Sequence, residues 1–72
     1  MKTSEIISQI TQETRIKCSC SGRLINLFKE DFTSIGVIYL SFDRMIARYI
    51  HSGVERIFTI PEEIVNHIKQ EN

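Results

Sequence analysis

The sequence predicts a mainly α domain of about four short helices, with one or more short strands as an addition. Two observations predict it. Apolar residues recur at three- and four-residue intervals through several stretches, clearest in Phe42, Met45, Ile46, Tyr49 and Ile50 at i, i+3, i+4, i+7 and i+8. Capping residues or glycine then stand at the ends of those stretches: Ser4, Ser21, Ser41 or Asp43 at starts, and Gly53 at a stop. The competing class is α+β with a small antiparallel sheet, because Val37, Ile38, Tyr39 and Leu40 are β-favouring side chains in one run.

Length and charge set the limits. The 72 residues make one domain, 1–72, which buries only about 60% of its unfolded surface and is marginal unless it packs well or associates. Lys plus Arg equals Asp plus Glu at nine each, so affinity driven by phosphate neutralisation is weakly supported. No apolar run approaches the roughly 20 residues that span a bilayer, and Met1–Thr14 lacks the apolar core of a signal peptide. The expected location is therefore intracellular.

In chain order, Ile6, Ile7 and Ile10 place a surface helix over Ser4–Thr14, with Thr3 or Ser4 as cap and Glu5 in its first turn. Arg15–Ser21 alternates Ile16, Cys18 and Cys20 with polar residues, as a half-buried strand does, or is a loop. Leu24, Ile25, Leu27, Phe28 and Phe32 suggest a helix over Arg23–Thr33. The other reading makes Ser21-Gly22 a hairpin turn that sets Ile25 and Leu27 opposite Cys18 and Ile16. A third helix runs from Tyr39 or Ser41 to Ser52, with Gly53 at its C′ position. Val54–Ile60 alternates as a short strand or a connector. Pro61 opens a last helix to Glu71, with Glu62 and Glu63 on the positive dipole end and Ile64, Val65 and Ile68 buried.

The stretch from Phe32 to His51, with an apolar residue, three residues, Gly36 and an apolar anchor Phe42 six residues on, resembles the helix-turn-helix of bacterial and phage transcription regulators. The family usually has a small residue where Phe32 stands and a polar capping residue where Ile38 stands. The resemblance implies that the outer face of the second helix meets the partner, through Ile38, Tyr39, Leu40, Asp43, Arg44, Ala47 and Arg48. Arg44 and Arg48 suit DNA, but Ile38, Leu40 and Ala47 offer phosphate nothing and Asp43 repels it. An apolar cluster beside an arginine suits a protein interface better, unless Ile38 and Leu40 are simply core.

In size, neutrality and apolar character the chain is also similar to small temperate-phage antirepressors. That resemblance implies a DNA-binding repressor as partner, with its operator-binding surface masked, in the cytoplasm of a bacterial host. A Cro-like DNA-binding repressor is the second reading. A small β-barrel RNA binder is the third, since Ser41-Phe42-Asp43 resembles a turn of the Sm-like RNA chaperones, although their Tyr-Lys-His run is missing.

Chemistry beyond binding finds little support. There is no nucleophile motif, glycine-rich phosphate loop or carboxylate–histidine pair of the catalytic kind, so no enzyme, cofactor or small-molecule substrate is expected. Cys18 and Cys20 are one residue apart, closer than usual zinc pairs, with only His51 and His67 as further ligands; reduced, partly buried thiols are expected, not a metal site. Arg15, Lys17, Arg23 and Lys29 form an acid-free basic run before Glu30 and are the candidate phosphate contacts.

Overall fold

Segments whose side chains alternate between two faces form strands when a partner strand satisfies their backbone, and most of the middle of this chain does so. In a computed structural model, which describes residues 1–71, the order is α1 (Thr3–Glu13), β1 (Lys17–Ser21), β2 (Leu24–Phe28), β3 (Ser34–Leu40), β4 (Ala47–His51), β5 (Val54–Phe58) and α2 (Pro61–Glu71). The five strands form one antiparallel sheet in the order β1-β2-β3-β4-β5, each beside its neighbour in sequence. The mainly α, four-helix expectation is therefore overturned. The architecture is of the α+β kind.

Both helices lie on one face of the sheet. Their apolar stripes, Ile6 and Ile10 on α1 and Ile64, Val65 and Ile68 on α2, join Ile25, Leu27, Ile38, Leu40, Ala47 and Tyr49 in a single core. Ile16 and Ile35 close it at the margin. The register explains which strand residues point inward: Ile25 pairs with Ile38, Ile38 with Tyr49, and Leu40 with Ala47, and paired residues share a face.

The helices expected at both ends are present, α1 shifted by one residue and α2 with the expected bounds. The N-cap of α1 is Lys2, which makes no side-chain cap bond, instead of Thr3 or Ser4. At its other end the Thr14 hydroxyl donates to Ile10 O at 2.6 Å and accepts from Ile16 N at 3.1 Å, turning the chain into β1.

The two central helices do not exist. Arg23–Thr33 is a hairpin turn, strand β2 and part of a loop, and Ser41–Ser52 is a turn followed by β4. The β1–β2 turn is Gly22-Arg23, which places Ile25 opposite Cys20 and Leu27 opposite Cys18. Gly53, expected to close a helix, has φ +78° in a two-residue hairpin turn with Ser52 at φ +52°. Positive φ was thus required there, by a turn whose twist suits a β-hairpin.

A β-bulge at Ile35 breaks the register between β2 and β3. His51 Nδ1 donates to the Ile35 carbonyl at 2.7 Å and so satisfies a group that the bulge takes out of the ladder. Tyr49 OH donates to Glu71 Oε1 at 2.7 Å, tying α2 to the sheet. Burial first, and then this bond, push the Tyr49 phenol well above its usual pKa. No helix among the described residues is long and apolar enough to cross a membrane.

Candidate functional site

The sheet face opposite the helices is uncovered, and its composition is unusual for a solvated surface. Register places Leu24, Tyr39, Arg48 and Ile57 in one cross-strand row and Asn26, Val37, Ile50 and Glu55 in the next, with Lys17 and Phe28 beyond. None of these residues is buried, although six of them are large apolar or aromatic side chains. Tyr39 and Ile57 are exposed and Leu24, Phe28, Val37 and Ile50 half-buried, and apolar surface left in contact with solvent is what interaction sites use.

Three aromatic–cation couples span that face. In its middle, Tyr39 on β3 is directly opposite Arg48 on β4 and is 42% exposed. At one end, the Arg23 guanidinium lies 5.4 Å from the Phe42 ring centroid and also donates to Leu40 O at 3.2 Å. At the other, Lys17 Nζ lies 5.7 Å from the Phe32 ring centroid. A hollow of about 390 Å³ lies between Arg23, Tyr39, Arg48 and Ile57. Arg48 is restrained by Glu55, whose carboxylate is 3.3 Å from its Nε.

The turns that carry the outer aromatics are built rigidly. Ser41 Oγ donates to Asp43 Oδ1 at 2.6 Å, Met45 N donates to the same carboxylate, and Ile46 N donates to Ser41 Oγ. The Ser41 bond, then the Met45 amide, hold the Asp43 carboxyl below its usual range. This frame leaves Phe42 88% exposed. In the β2–β3 loop, Phe32 N donates to Lys29 O and Thr33 N to Asp31 Oδ1, and Phe32 itself sits at φ +66°. A bulky side chain in the left-handed region stores strain, and such strain gathers where function demands a side chain.

The residues expected to contact a partner divide sharply. Ile38, Leu40 and Ala47 are fully buried on the inner face and expose no surface. Tyr39 and Arg48 are side by side on the open face, and Asp43 and Arg44 lie in the β3–β4 turn. Of the candidate phosphate contacts, Lys17 and Arg23 border the open face, each against an aromatic ring. Arg15 and Lys29 instead line a cleft of about 620 Å³ that also holds Glu13, Glu30, Lys69 and Glu71, so cations and carboxylates balance there.

Leu24, Phe28, Phe32, Phe42, Val37, Ile50 and Ile57 belong to the open face and were expected in a core or not singled out. Among the described residues no group of three or more His, Cys, Asp and Glu side chains could hold a metal ion. Cys18 is half-buried, with burial raising its thiol pKa, and Cys20 is exposed. Comparison with known protein families, curated proteins and solved structures found no match.

Proposed function

We propose that the chain binds single-stranded RNA along the open face of its sheet. The three couples, Phe32 with Lys17, Tyr39 with Arg48 and Phe42 with Arg23, carry the reading. Exposed rings offer stacking surfaces to unpaired bases, and cations beside them meet the phosphates between those bases. The Ser41-Phe42-Asp43 turn, on which the resemblance to Sm-like RNA chaperones rests, is the element that holds Phe42 outward. The readings that needed a second helix, an antirepressor or a Cro-like DNA reader, lose that helix to the β3–β4 turn and β4. They also lose Ile38, Leu40 and Ala47 to the core.

A neutral chain binds mainly by stacking. With three cations on the face, and a slope of about −0.7 per phosphate neutralised on a single strand, the logarithm of affinity falls with the logarithm of salt with a slope of only about −2. Fluorescence anisotropy with labelled oligo-U and oligo-A of about a dozen nucleotides tests this, a length within the usual range of single-strand sites. Wild type is expected to bind single strands and not a duplex, and Tyr39→Ala and Phe42→Ala each to weaken binding about tenfold at unchanged melting temperature. Failure to bind any single strand at low salt, or affinity indifferent to both substitutions, would refute the proposal.

A further inference from the structure

β1 and β5 are the two edges of the sheet, and they differ in what a second strand would meet. The turn Gly22-Arg23 has two residues, which makes Ser21 and Leu24 a hydrogen-bonded pair. The bond from Leu40 N to Arg23 O, 2.9 Å, agrees, since it turns Arg23 toward β3 and therefore Leu24 toward β1. Counting back in twos, the backbone groups of Ser21, Ser19 and Lys17 face β2. Those of Cys20 and Cys18 face the open edge.

Natural edges are usually blunted by charge, proline or a bulge. β1 has only one charge, Lys17 at its start, whose ammonium lies by the Phe32 ring; Ser19, Cys20 and Ser21 follow, all small and exposed. A second β1 brought up antiparallel about a two-fold axis normal to the sheet, with all five residues overlapping, puts Ser19 opposite Ser19 of the second copy. Cys18 then lies opposite Cys20 of the second copy, on one face, and the two Lys17 lie at opposite ends, each across from Ser21. The same operation at β5 centres on Arg56 and sets it against Arg56 of the second copy, a like-charge pair that costs stability.

We propose that two copies of this chain associate through their β1 edges into one ten-stranded sheet, with Cys18 of each directly opposite Cys20 of the other. The inference goes beyond RNA binding and does not depend on it. It makes the open faces of the two copies continuous.

Thiol trapping tests the register. Directly opposed residues of a hydrogen-bonded pair have Cα atoms about 5.5 Å apart, within the span of a disulfide. Copper(II)-phenanthroline takes the two electrons as the two thiols lose their protons and the S–S bond forms. In a Cys18→Ser chain each Cys20 faces a serine, and in a Cys20→Ser chain each Cys18 does. Neither variant alone is expected to yield covalent dimer, whereas their mixture does. Self-crosslinking of Cys18→Ser as efficient as that of the mixture, or a mixture that stays monomeric, overturns the proposal. Independently, sedimentation is expected to show self-association of wild type at high micromolar concentration. Ser19→Lys and Ser19→Glu should each be monomeric and should associate when mixed, as opposed charges replace like ones. A mixture no more associated than its components also overturns it. Ser19 is exposed, so both variants keep the fold, which circular dichroism checks.

Discussion

On the inner face of the sheet Ile25, Leu27, Ile38, Leu40, Ala47 and Tyr49 retain 1% or less of their surface, whereas on the outer face Leu24, Val37 and Ile50 are only half-buried and Tyr39 and Ile57 are exposed, Ile57 at 61%. The side chains are much alike in size and hydropathy. What separates them is that α1 and α2 both lie on the inner side. Apolar character therefore specifies a surface to be covered, and the helices decide which of two such surfaces is core. The other carries no helix.

The most severe way to break the inner face needs only one methyl group. A Cβ at Gly36 would run into the backbone carbonyl of Ile50 on the neighbouring strand, where nothing flexible can give way. Gly36→Ala is expected to cost about 3 kcal/mol or more, or to prevent folding, by thermal or urea denaturation. Next, Leu27→Ala should cost about 2–5 kcal/mol and Val37→Ala, on the other face, less than about 1 kcal/mol. Equal losses would show that the outer face is packed as a core.

Smaller changes sharpen the contrast. Phe32→Gly is expected to stabilise the fold by about 1 kcal/mol, because glycine adopts the φ of that position without strain, while it removes a stacking surface and weakens RNA binding. Tyr49→Phe should cost about 1 kcal/mol at neutral pH through loss of the bond to Glu71. The raised Tyr49 pKa means that its contribution is fully present below the ordinary tyrosine value of 10.0 and is lost as pH rises through the higher folded value. The variant should thus show a flatter alkaline limb. The smallest effect is at Asp43. Its lowered pKa gives stability that is present above 3.8 and lost as pH falls through the folded value, so Asp43→Asn should flatten the acid limb of a melting-temperature profile.

Much of the difficulty of reading the centre of the chain follows from the two-sided sheet. A half-buried strand announces itself by alternation, but β2 and β3 carry Leu24, Ile25, Leu27 and Phe28, and Val37, Ile38, Tyr39 and Leu40, on both faces. With Asn26 the one polar side chain that these two runs place on the outer face, three- and four-residue spacings arise by chance. Phe42, Met45 and Ile46 fit a helical stripe with Tyr49 and Ile50, yet Phe42 and Met45 are 88% and 69% exposed and Tyr49 is buried. Ser41 and Asp43 were recognised as capping residues. Their side chains do satisfy free amides, those of Ile46 and Met45, in a turn instead of a helix end.

The candidate site was legible in part. Lys17 and Arg23, expected from their acid-free basic run, and Tyr39 and Arg48, expected from the resemblance to a helix-turn-helix, lie on or beside the open face. Ile38, Leu40 and Ala47 were grouped with them on a helical face, and the pleat sends them to the opposite side, because in a strand neighbouring residues diverge.

By itself the sequence determined α1 and α2, whose apolar stripes and flanking charges are local features that need no distant partner, together with the need for positive φ at Gly53; it left β5 open between a strand and a connector. Only the tertiary structure decided the rest: that the centre is a sheet, that its inner face is core and that its outer face is free. Those outcomes depend on pairing between segments, such as Ile25 with Ile38 and Ile38 with Tyr49, and on where two helices dock. Strand pairing and docking are long-range interactions, and the order of residues within any one segment does not encode them.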